Sequence, residues 1–95
     1  MTSTAGLPGA ELVTKGLADL AAGRDSVEAR LVAIGAPRLR ALGFSVPDSQ
    51  RPEHALYRLL EHAHGNGAHS AYNALVRRLV SFERAMEGRV ARAGR

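Results

Sequence analysis

Four histidines are the first side chains to test for chemistry: His54, His62, His64 and His69. His62 and His64 stand two apart, so they do not share a helix face. His69 lies beyond a glycine turn, no H-x-x-x-H pair occurs, and no acidic cluster joins them. The pattern gives no metal site, and no cofactor is expected. The six serines (Ser3, Ser26, Ser45, Ser49, Ser70 and Ser81) include no G-x-S-x-G and none in a recognisable relation to a base. GNG at 65–67 reads as a turn between helices, not a phosphate-binding P-loop. The chain therefore reads as a non-enzyme.

Charge is the next resource. Residues 1–76 carry seven Lys/Arg and seven Asp/Glu, whereas residues 77–95 carry six Arg and two Glu, so the net +4 comes from the last fifth. That distribution suits an acidic protein surface or the phosphates of a nucleic acid. Arginines near a helix C-terminus also favour the helix dipole. With few aromatic residues and no Trp, the chain lacks the stacking platforms that single-strand recognition uses. Weak, salt-sensitive nucleic-acid binding stays open.

These groups need helices to hold them. Pro8 suits a first helical position, and Leu12, Val13, Leu17, Leu20 and Ala21 follow helical spacing over roughly 9–22. Gly23 reads as the left-handed residue that ends this helix. Asp25 reads as the next cap, with Glu28 completing a D-x-x-E box. Val27, Leu31 and Ile34 line one face up to Gly35-Ala36-Pro37, where Pro37 predicts a break. A short helix over 37–42, closed by Gly43, places Leu39, Leu42 and Phe44 towards the core. SVPDSQRP is a linker. A helix over 52–64 buries Ala55, Leu56, Leu59, Leu60 and Ala63, and Asn66 reads as the cap of a last helix running to about 91.

No strand pattern is present, so the fold class is all-α: a compact bundle of about five helices, two of them short, with a long amphipathic C-terminal helix. Residues 1–7 read as a flexible start, 8–91 as one helical domain and 92–95 as a frayed basic end. Of 43 apolar residues, 17 are Ala, which leaves a thin core and makes homo-oligomerisation or a partner a plausible source of stability. With no cysteine, no apolar run of about 20 residues and no signal-peptide pattern, a cytoplasmic location away from membranes is expected.

The last helix concentrates the functional signal. Tyr72, Leu75, Val76, Leu79, Phe82, Met86 and Val90 form one apolar arc, and Asn73, Arg77, Ser81 and Arg84 lie opposite. Glu83 falls inside the apolar arc. A buried carboxylate needs a partner, so Glu83 is expected to meet a basic group from another helix or another molecule, or to lie at the edge of the core. A helix this long overruns a small core. Tyr72 to Leu79 should pack internally, and the part from Phe82 onward should overhang. The partner-binding candidates are accordingly Arg77, Arg78, Phe82, Glu83, Arg84, Met86 and Arg89. Residues 25–43, with Arg38 and Arg40, loosely read as a helix-turn-helix, which keeps a small DNA-binding regulator as the alternative. A self-associating helical protein is the third reading.

GLADLAAGRDSVEARLVAIGAPRLRALG (16–43), PEHALYRLL (52–60) and AHSAYNALVRRLVSFERAME (68–87) together resemble small helical bacterial antitoxin-like proteins paired with AbiEii/MenT-like nucleotidyltransferase toxins. The resemblance implies neutralisation of such a toxin by direct complex formation, and it carries no catalytic or metal residue with it. Nucleotidyltransferase clefts hold acidic metal ligands. A basic C-terminal helix would suit that side of such a partner, and association would slow as salt rises.

Overall fold

The computed structural model describes residues 6–47 and 51–93, and it is all-α. The expectations for residues 1–5, 48–50 and 94–95 lie outside the described residues. Leu7, assigned to the flexible start, packs against the core instead.

Helix α1 (Ala10–Ala21) begins after Gly9, whose φ of 73° favours glycine. A second reason excludes a side chain there: a Cβ on Gly9 would lie 2.7 Å from the carbonyl oxygen of Arg78. The start of α1 is thus pressed against the C-terminal helix. Gly23, at φ 72°, ends α1 as expected. The Gly23 N–H donates to Leu20 O and the Arg24 N–H to Asp19 O, the paired bonds of a Schellman motif.

Helix α2 (Val27–Ile34) is capped by Ser26, not Asp25: the Ala29 N–H donates to Ser26 Oγ at 3.0 Å. The choice between these neighbours is made from α1. Ser26 Oγ donates to buried Asp19 at 2.7 Å, while Asp25 turns outward and pairs with Arg30. Asp19 also accepts from Lys15 at 2.6 Å and Arg24 at 3.0 Å, so both of its carboxylate oxygens are engaged. Along α1, Gly16 lets α2 approach so closely that a Cβ would sit 2.4 Å from Glu28 O.

The break predicted before Pro37 is a single residue, Gly35, and helix α3 (Ala36–Ala41) starts at once with Pro37 in its first turn. Gly43, at φ 99°, closes α3 in a second Schellman pattern, with the Phe44 N–H donating to Leu39 O at 3.0 Å. Phe44 then folds back, its ring 6.0 Å from that of Phe82. Helix α4 (Pro52–His64) has the expected bounds. Leu56 and Leu60 are buried and Ala55 and Leu59 half-buried, but Ala63 is exposed, a correction to its core assignment. Asn66 lies inside the 3-10 turn Gly65–Gly67 rather than at a cap.

Helix α5 (Ala68–Ala93) has 26 residues, about 39 Å at 1.5 Å each. It runs along most of the molecule's 46 Å length. Tyr72 to Leu79 pack internally as expected, but the overhang expected from Phe82 onward does not begin there. Leu79, Phe82 and Met86 are buried, whereas Tyr72, Leu75 and Val76 are half-buried against the core. The cause is the Phe44 return and the Gly9 contact, which cover the middle of α5. Val90 is the large apolar side chain left exposed among the described residues. Among the described residues, no helix is long and apolar enough to cross a membrane.

Candidate functional site

Of the residues expected to meet a partner, the structure keeps some on the surface and withdraws others. Phe82 and Met86 are 0% and 2% exposed, so neither forms an overhanging interface. They are corrected to core residues, with Phe44 stacked on Phe82 in a tilted geometry. Arg78 points at the start of α1 and pairs with Glu11. Arg89 is half-exposed and already engaged. Arg77 and Arg84 remain exposed on the outer face of α5, seven residues or about 10.5 Å apart along the axis. Ser81 lies between them, also exposed. No hydrogen bond within the described residues holds either guanidinium, though the charge of Arg84 helps to lower the pKa of Glu87.

Glu83 is 2% exposed and does meet a basic group from another helix, Arg38 of α3. Arg38 Nη1 stands 3.2 Å from Glu83 Oε1. The same guanidinium grips Glu87 through Nε at 3.0 Å and Nη2 at 2.6 Å, a bidentate pair one turn further along α5. Arg38 therefore ties α3 to α5. Burial pushes the Glu83 carboxyl above its ordinary range, against the opposing charge of Arg38, while the neighbouring charge of Glu87 pushes the same way as burial. The Arg38 hydrogen bonds hold Glu87 below its ordinary value. Glu83 Oε2 is buried and has no hydrogen-bond partner among the described residues.

The two residues proposed to reach DNA are both committed inside the chain. Arg38 is held as above, and Arg40 Nε donates to Val46 O at 2.7 Å. A one-residue break between α2 and α3 also differs from the three- or four-residue turn of a helix-turn-helix. The four histidines are exposed and spread over α4 and the start of α5, with His69 edge-on to Tyr57. Among the described residues, no three metal-ligating side chains converge.

Sequence reasoning missed two parts of this region. It assigned Arg38 to nucleic acid and did not see Gly35, whose absent Cβ would lie 2.6 Å from Glu83 Oε2. The available signal was the misplaced Glu83 itself, which demanded a cation. Nothing in the spacing said which arginine would supply it. Comparison with family models, curated proteins and solved structures returned no match.

Proposed function

We propose that this chain is a protein-binding module of antitoxin type. It neutralises a nucleotidyltransferase-like partner by forming a complex in which the outer face of α5 lies against an acidic surface. The observation that carries this reading is the exposed pair Arg77 and Arg84, which no hydrogen bond holds within the described residues. Arginines left free of internal bonds keep their donors for an interface, where Arg is over-represented among hot spots. The resemblance of segments 16–43, 52–60 and 68–87 supplies the class of partner. The interface so defined is polar, because Phe82 and Met86 are occupied in the core.

The DNA-binding alternative has little support, since Arg38 and Arg40 are both held by groups of the chain. A gel shift on the chain's own promoter tests it directly. For the protein-binding reading, the test is co-purification with the product of an adjacent nucleotidyltransferase gene, then stopped-flow association over a range of salt. The Arg77→Glu/Arg84→Glu variant should associate more slowly at low salt and lose most of the salt dependence. An association rate equal to wild type at every salt would overturn the assignment of this face. Gel filtration of the isolated chain separates self-association from both readings.

A further inference from the structure

Between the α2–α3 break and the middle of α5 lies a cleft of about 240 Å³. Ile34, Val76, Leu79 and Val80 give it apolar walls, and half-exposed Arg38 and buried Glu83 both line it. It is far larger than the roughly 10–15 Å³ that one water needs. Glu83 presents an unusual group there. One carboxylate oxygen faces Arg38, and the other, Oε2, is out of bulk water and without a donor among the described residues. An unsatisfied buried carboxylate oxygen is costly, and a bound donor would remove that cost.

Gly35 lets Glu83 Oε2 lie directly against the α2–α3 break. Its φ of −85° suits any residue, so backbone conformation does not call for glycine. Space does: a Cβ would fall 2.6 Å from Glu83 Oε2 and 3.1 Å from a Leu79 methyl. We infer that this cleft binds a primary alkylammonium group, its carbon stem against the apolar walls and an N–H donated to Glu83 Oε2. The acceptor left over is a carboxylate oxygen, which favours a cationic donor over a neutral one. An ammonium has only donors, which suits an orphaned acceptor. A guanidinium fits less well: its planar fork seeks both oxygens of a carboxylate, and Oε1 already faces Arg38. A free amine and a lysine side chain share the required chemistry. This inference stands apart from the arginine face and from the partner proposed above.

The probe is n-butylammonium chloride, titrated into the isotope-labelled full chain and followed by amide NMR. Saturable shifts are expected at Gly35, Leu79 and Val80, with 1-butanol binding about tenfold more weakly or worse, since it supplies no charge-assisted bond. Gly35→Ala should abolish the shifts, and Glu83→Gln should weaken binding about tenfold, with far-UV circular dichroism verifying the fold of each. Capped lysine, with both backbone ends blocked, forms the second arm. Binding of both probes points to a lysine side chain as the natural source, and binding of the amine alone to a small molecule. Equal response to butylammonium and butanol, or no saturable shift in the wild type, overturns the inference without needing any variant to fold.

Discussion

Replacing Gly16 by alanine sets two effects of opposite sign against each other. Alanine is the better helix former by about 0.8–1.0 kcal/mol, so propensity alone predicts a more stable protein. The structure predicts the reverse. The new Cβ would stand 2.4 Å from both Glu28 O and Val32 Cγ2, a full ångström short of the 3.4 Å where ordinary contact begins. One of those atoms is a backbone carbonyl, so no rotamer change relieves the overlap and α1 must move off α2. Overpacking of this kind costs about 1–3 kcal/mol or more. Gly16→Ala should therefore lose up to about 2 kcal/mol net, a fall in Tm of as much as roughly 15 °C for a domain of this size. Gly88→Ala is the matched control. Its Cβ would meet only Arg92 Nη1, at 3.6 Å, so the propensity gain should appear undiminished. Thermal and urea unfolding followed by circular dichroism reads both variants. If Gly16→Ala were stabilised as much as Gly88→Ala, the close packing of α1 on α2 would be wrong.

Phe82→Ala should cost about 3–5 kcal/mol, a large part of the roughly 5–14 kcal/mol available to 95 residues, and truncation after Ser81 should leave no cooperative unfolding transition. A cooperative transition in the truncated chain would show that Phe82 and Met86 are dispensable. The two buried carboxylates should respond to pH in opposite directions. Burial raises the Glu83 pKa, so the folded chain holds that proton more tightly, and this contribution falls as pH rises through the folded value. Glu83→Gln is accordingly expected to be neutral or stabilising near pH 7, with the difference vanishing in acid. Hydrogen bonds from Lys15, Ser26 and Arg24 lower the Asp19 pKa, so its contribution is present above the ordinary carboxylate range and lost as pH falls. Asp19→Asn should destabilise at pH 7 and progressively less towards pH 2. Urea midpoints at several pH values test both, and parallel curves for the two variants would refute the contrast.

Much of the framework could be read from punctuation. Pro52 and Gly65 bracket α4, and Gly23 and Gly43 end α1 and α3, because these residues act through local backbone geometry. Position along α5 could not be read in the same way. A period of 3.6 tells which face of a helix is apolar, not how far along it the core reaches. That height is set by Phe44, Gly9 and Arg38, which meet α5 from positions 38 to 73 residues away. The cap of α2 failed for a related reason: Asp25 and Ser26 are both good caps, and a third residue, Asp19, decides between them. At the candidate site, periodicity singled out Glu83 and its need for a cation. The same local reading sent that cation, Arg38, to DNA.

The contact of Gly9 with Arg78 joins residues 69 apart, whereas α1 and α2 meet across a short connection. Closing the longer loop sacrifices more chain entropy before any contact repays it, though the excess grows only with the logarithm of length. The order of folding follows: the α1–α2 pair should form in the rate-limiting step, and α5 should seat its middle turns afterwards. Damage to the two seams would then have different kinetic signatures. Gly16→Ala should slow refolding, while Phe82→Ala should chiefly hasten unfolding, a division that a chevron plot of the two variants would display. The opposite division would mean that α5 docks first, with α1 and α2 assembling on it as a template.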